Sequence, residues 1–425
     1  MSAPKASAPS LPYLLLIILA GESVFLLPFV LIRVFRPTVL SVYGIDNTDV
    51  GVCFAVYGFV ALGSYLFGGP LADRFPARKL MGTALLLTAA GGLVYANAPS
   101  LQTLKLLYGY WGFTTIFLFW AAMIKATRVW GGPANQGRAF GFLDGGRGLV
   151  GATVSLGGLF IFEAVMGEAG EASNNVAAFR RVVLSCSAFV AVVGVLVLLF
   201  LRSERERNVL VDKIRWADVS TVLRLPTVWL LMVIILCAYT GYRVTDIFSL
   251  YAADVMGYDE VGSAGMGTFL LFLRPVVGVA AGLLADRNRP SLYLIIGFLC
   301  LLLGAVFFLP GSLATSGVVG FYFTVVLTAI GVYAARVLYF AVLQEGRIPV
   351  ALTGTAVGLI SFVGYTPDIF ANLLFGYFLD KYPGAAGHTY VFICLIVFAV
   401  IGLAASGAFS WLAGRSGTDE AGARV

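Results

Sequence analysis

Apolar runs of about twenty residues succeed one another along this chain, separated by short breaks rich in charge, proline or glycine. The pattern predicts helices over residues 11–35, 50–69, 80–98, 103–128, 139–163, 180–201, 226–251, 261–285, 291–310, 317–343, 351–379 and 388–413. Each is long enough for a hydrocarbon core roughly 30 Å thick, so twelve membrane spans are expected. The longest break, residues 202–225, holds Arg202, Arg205, Arg207, Lys213, Arg215 and Arg224 against four acids and falls near the middle. It reads as a cytoplasmic linker between two six-helix bundles, residues 1–201 and 226–425.

Composition agrees with the pattern. Of 425 residues, 60% are hydrophobic and 12% charged, against about 45–50% and about 25% in soluble chains. The expected class is an all-α membrane protein, which excludes a soluble enzyme or a nucleic-acid binder; the net charge of +6 is therefore no phosphate-backbone footprint. The polar opening MSAPKASAPS leads into an apolar run longer than a signal-peptide core, so the first helix is expected to be retained. Cys53, Cys186, Cys237, Cys300 and Cys394 lie in apolar runs at unrelated spacings and read as small buried hydrophobes.

Charge sets the expected orientation. Sixteen lysines and arginines fall in the N-terminus, the loops following even-numbered helices and the C-terminus, and five in the opposite loops, Arg36 among them. Cationic loops stay on the cytoplasmic side, so both termini are expected there. Seven cations remain inside spans: Arg33, Lys125, Arg128, Arg147, Arg243, Arg274 and Arg336. Only Glu22, Asp144, Asp246 and Asp368 lie at comparable depth. Because a charge at the bilayer centre costs at least about 2.5–3.5 kcal/mol, these groups need partners, water or a route to the interface.

An internal repeat relates several of them. Leu71-Ala72-Asp73-Arg74 recurs as Leu284-Ala285-Asp286-Arg287, Val50-Gly51 as Val261-Gly262, and Gln136-Gly137-Arg138 as Glu345-Gly346-Arg347, at offsets of 213, 211 and 209. The same offset pairs Arg33 with Arg243 and Lys125 with Arg336. If both bundles present equivalent helices to one midplane cavity, four cations converge there and an anion would balance them. Arginine's planar fork suits carboxylate, phosphate or sulfonate oxygens.

The stretch Gly69-Pro70-Leu71-Ala72-Asp73-Arg74-Phe75-Pro76-Ala77-Arg78-Lys79 resembles the G-x-x-x-D-R-x-x-R-K loop of the major facilitator superfamily, and Gly282-Leu283-Leu284-Ala285-Asp286-Arg287-Asn288-Arg289 is its degenerate copy. The segments NQGRAFGFLDGGRGLVG (135–151) and GTAVGLISFVGYTPDIF (354–370) resemble an uncharacterised group of bacterial inner-membrane permeases near the organophosphate antiporters. The resemblance implies the major facilitator fold, a bacterial inner-membrane location, and a gating latch at Asp73, Arg74, Asp286 and Arg287. It also implies anion-gripping roles for Arg33 and Arg243.

Each candidate has a plainer alternative. Glu22 lies 11 residues before Arg33, which returns a regular helix to nearly the same face. It is the proton-coupling candidate, or else a static partner for an excess cation. Asp246, three residues after Arg243, is a second coupling acid, or else neutralises that arginine on one helix face; Asp144 and Arg147 have the same spacing. Lys125 and Arg128 are able to snorkel to the inner surface. Arg336, about 15 Å of helix before the Gly346 turn, lies deeper. Arg274 could answer Asp368 or Glu22. Trp120, Tyr239, Tyr242 and Tyr365 offer aromatic walls or hydroxyls, while the Gly-rich stretch 145–157 serves close helix packing. His388, the lone histidine near an outer loop, argues against a histidine relay or metal site.

The expectation is a secondary active carrier of a small organic anion, working by alternating access with proton symport or anion exchange. Arg33, Arg243, Arg336, Lys125, Tyr239 and Tyr365 would bind the anion. A two-bundle carrier needs no partner to form its pathway, so a monomer is expected, with no cofactor or metal. The competing readings are a proton-driven exporter of amphipathic or cationic compounds and a receptor that binds without moving its ligand.

Overall fold

The computed structural model describes residues 11–131, 136–168, 173–201, 216–287, 289–339, 341–343, 345–346, 348 and 353–422. It is all-helical, with no strand among the described residues. The long helical runs are α1 (Leu11–Val34), α2 (Asn47–Arg74), α3 (Ala77–Tyr95), α4 (Leu101–Thr127), α5 (Gln136–Glu168) and α6 (Ser173–Phe200). They continue with α7 (Pro226–Asp254), α8 (Glu260–Arg287), α9 (Pro290–Phe307), α10 (Val318–Leu338), α11 (Gly358–Lys381) and α12 (Ala385–Gly422). Among the described residues, eleven helices are long and apolar enough to cross a membrane. The expected third span, α3, is not one of them; its 19 residues carry Arg78 and Lys79 in the first turn and include three glycines and two threonines.

Several runs are irregular where function is sought. Pro28, which lacks an N–H, lies in a π-helical turn at Leu26–Val30 in α1. After Phe35 leaves helical geometry, a short helix Arg36–Tyr43 follows and ends at Gly44, whose φ of 61° favours glycine. A second π-helical stretch, Phe113–Trp120, interrupts α4. A 3₁₀ turn at Thr245–Ile247 breaks α7, Pro275 interrupts the bonding of α8, and α11 is interrupted between Gly364 and Pro367.

Packing separates two compact units. The first comprises the described residues of Met1–Val211 and Asp246–Pro275, the second those of Asp212–Thr245 and Val276–Val425. In the first, α3 packs on α6, α2 on α4, and α1 on α5. Glycines permit the closest approach: a Cβ on Gly82 would lie 2.4 Å from Leu198 Cγ. In the second, α9 packs on α10 and α12, and α7 on α11 and α12. Gly331 is equally confined, since a Cβ there would lie 2.4 Å from Leu301 N. The α3–α6 and α1–α5 pairings thus recur as α9–α12 and α7–α11, as the repeat in the sequence implies. Large apolar side chains such as Phe59, Leu106, Val192 and Val319 are exposed on helix surfaces, as lipid contact requires. Cys53, Cys186 and Cys237 are buried, Cys300 and Cys394 half-buried, and all five are free.

Candidate functional site

Arg33 and Arg243, paired by the repeat, occupy the same local setting. Each lies in the last turn of a helical stretch, Leu31–Val34 and Pro226–Val244, immediately before a backbone break. Cations are favoured there because the terminal carbonyls carry partial negative charge. Both guanidinium groups are buried, and each is held by a carboxylate. In the first unit, Arg33 reaches Asp246 Oδ1 through Nε and Nη2, both at 2.7 Å, while Ser249 Oγ donates to the Arg33 carbonyl at 2.9 Å. In the second, Arg243 Nη2 donates to Asp368 Oδ1 and, at 2.8 Å, to Tyr239 Oη. Asp368 lies in the first turn of the helix Pro367–Lys381, where negative charge is favoured.

A second polar group lies in the first unit. Glu22, 3% exposed in the middle of α1, accepts from Arg147 Nε at 3.2 Å through Oε2 and from Arg274 Nη1 at 3.4 Å through Oε1. Arg274 Nη2 continues to Asp144 at 2.9 Å. Of the two acids offered to Arg274 by the sequence, the structure supplies Glu22. Arg147 also faces the rings of Phe25 and Trp120, at 5.3 and 5.8 Å. The room for this group comes from α5: a Cβ on Gly151 would lie 3.0 Å from Glu22 Oε1, and one on Gly148 3.2 Å from Pro275 Cδ. The glycine-rich stretch therefore accommodates charged side chains as well as helix backbones. The sequence places Glu22 and Arg33 on one face, but the intervening π turn alters the 100° stepping, and their partners differ.

The second unit contains an arginine–tyrosine cluster. The Arg336 guanidinium lies 4.0 Å from the Tyr242 ring centroid, and Tyr242 stacks on Tyr239 at 5.8 Å. Tyr239 meets Tyr365 edge-on at 4.8 Å, and the Tyr365 and Tyr339 hydroxyls are 3.2 Å apart. Arg336 and Tyr365 are partly exposed. Cation and phenol groups able to bind oxygen-rich ligands are therefore gathered on α7, α10 and α11.

Lys125 does not join this cluster. Its Nζ donates at 2.8 Å to the Ala72 carbonyl in the last turn of α2, satisfying a group for which the helix has no internal partner. The Asp73, Arg74, Asp286 and Arg287 side chains, and that of Arg128, lie outside the described residues. Arg36, assigned to a loop by its charge, is buried and donates from Nε to Asn47 Oδ1 at 2.9 Å. Sequence reasoning also missed Glu260, which accepts from Thr38 Oγ1 and Asn175 Nδ2 at the start of α8. Nothing in its local spacing indicates partners so distant along the chain.

Residues 14–367 match the Major Facilitator Superfamily, and the chain belongs to that family. It is a transporter and not an enzyme. Inner membrane protein YqcE of Escherichia coli (strain K12) is 25% identical over 354 residues, covering 81% of this chain and 82% of that protein. Inner membrane protein YihN of the same organism is 26% identical over 401 residues, covering 92% and 93%. A crystal structure of a bacterial homologue of the human lysosomal transporter Spinster, inward-facing and unoccupied, shares the fold with a TM-score of 0.70. It is 15% identical, with 96% of this chain and 98% of that one covered.

Proposed function

We propose that this major facilitator chain is a secondary active transporter moving a small organic anion across the bacterial inner membrane, with both termini in the cytoplasm. The observation that carries the reading is Arg336, partly exposed on Tyr242, from which a chain of tyrosines runs through Tyr239 and Tyr365 to Tyr339. In this reading Arg336 attracts the anionic group, the hydroxyls bond its oxygens, and the tyrosine faces cover its carbon skeleton. The surplus of cations over acids within the spans supports the same sign of cargo. Arg33 and Arg243, already neutralised by Asp246 and Asp368, act as fixed ion pairs in place of the gripping role the resemblance implied. Lys125 acts as a helix cap.

Movement follows from alternating access, driven by a proton gradient or by exchange for another anion. The competing reading is cation or amphipath export, for which the buried acids Glu22, Asp246 and Asp368 would have to face the cargo instead of the arginines that now engage them. A thermal-shift screen of purified protein against carboxylated, phosphorylated and sulfonated metabolites and against organic cations separates the two. Radiolabelled uptake into liposomes follows for each binder. Anion-dependent stabilisation and uptake, lost in Arg336→Ala, is expected; cation uptake against a proton gradient, with no response to anions, overturns the reading.

A further inference from the structure

Glu22 has two guanidinium groups on one carboxylate. Arg147 from α5 takes Oε2 and Arg274 from α8 takes Oε1, while Asp144 lies behind Arg274. The formal charge of these four groups sums to zero. Glu22 and Arg274 are almost completely buried, whereas the Asp144 side chain is 34% exposed. Two arginines set around a single carboxylate form a clamp for any oxyanion, because carboxylate, phosphate and sulfonate oxygens accept the same charge-assisted bonds. Gly148 and Gly151 let the α5 backbone lie directly against the group, since a Cβ there would meet Pro275 and the Glu22 carboxylate.

From this geometry we infer that Arg147 and Arg274 are an anion-binding pair that Glu22 fills in the absence of cargo, and that a substrate oxyanion replaces the Glu22 carboxylate once Glu22 is protonated. The inference rests on the anion reading above, gives the same anion a second station besides Arg336, and couples that station to the proton. Proton uptake makes Glu22 neutral and leaves the two arginines and Asp144 with one net positive charge. A monovalent oxyanion restores neutrality. In a low-dielectric interior either event alone leaves a buried net charge, which is costly, so proton and anion bind together and each strengthens the other. The result is symport of one proton with one monoanion, without net charge movement.

The other elements packed on α1 bring no further described carboxylate to Glu22. Lys125 on α4 is bonded to the Ala72 carbonyl. Arg78 and Lys79 lie in the first turn of α3, and Arg180 and Arg181 are exposed near the start of α6.

The test uses purified full-length protein with gluconate and isethionate, a carboxylate and a sulfonate that stay ionised above about pH 5. Wild-type affinity is expected to rise up to about tenfold for each pH unit lowered. In weak buffer, about one proton is taken up per anion bound. Glu22→Gln removes the competing charge, so its anion binding becomes strong and independent of pH, and liposome accumulation no longer responds to a proton gradient. If E22Q retains the wild-type pH dependence, the inference fails and the anion reading stands. If E22Q does not fold, proton uptake by wild type decides: anion binding without proton uptake overturns the inference alone. Wild type that responds to neither probe and to no anion of the wider screen overturns the cargo class, and the inference with it.

Discussion

Arg243 and Asp368 each have two reasons to stay charged: the partner itself, and a helix terminus of complementary polarity. Removing one member strands the other in a buried site. Asp368→Asn is therefore expected to destabilise the protein by about 3–5 kcal/mol, seen as a lower unfolding temperature in detergent, whereas Arg243→Met with Asp368→Leu recovers most of the loss. An Asp368→Asn protein as stable as wild type would contradict this account. For Arg336 the expected deficit is in transport. Arg336→Lys keeps the charge but loses the planar contact with Tyr242, reducing uptake by about tenfold if the stacked cation is worth about 1–2 kcal/mol; Arg336→Ala reduces it further. The repeat made the arginines legible in the sequence but not their partners. Spacing suggests Asp246 for Arg243, yet the acid that binds Arg33 is Asp246, 213 residues away, and Arg243 binds Asp368, 125 residues away. An i,i+3 rule assumes an unbroken helix, and a 3₁₀ turn begins at Thr245, between Arg243 and Asp246.

Most helices were legible because a span must be apolar for about twenty residues, a requirement visible without tertiary information. Interruptions were less so. Pro275 is conspicuous, but the π turns at Leu26–Val30 and Phe113–Trp120 have no comparable local signature, and the break after Phe35 turns an apparent loop arginine, Arg36, into a buried one. The close helix contacts depend on residues whose value lies in what they lack. A methyl group at Gly151 would press on the Glu22 carboxylate at 3.0 Å, so Gly151→Ala is expected to cost about 1–3 kcal/mol through overpacking. Thermal unfolding measures the cost; combining it with Glu22→Ala, which vacates the contested space, should yield less than the sum of the single effects. Additive losses would show that the glycine serves another purpose.

Across the molecule, the excess of cations in one set of loops sets an expected topology: a fluorescent protein fused after Val425 should fold and emit in the cytoplasm, and a periplasmic reporter there should stay silent. The opposite result would invert the assignment of every loop. The composition of the first unit has a consequence for biogenesis. Its six amino-terminal helices bring Arg33, Glu22, Asp144 and Arg147, but the acid for Arg33 and the guanidinium linking Glu22 to Asp144 come from Asp246 and Arg274. Arg243 and Asp368, by contrast, both follow the linker. A gene severed at the linker would therefore give fragments of unequal fate. The leading fragment leaves the ribosome with its intramembrane charges incompletely matched, and a newborn chain must shelter them in the bilayer until the eighth helix has been made.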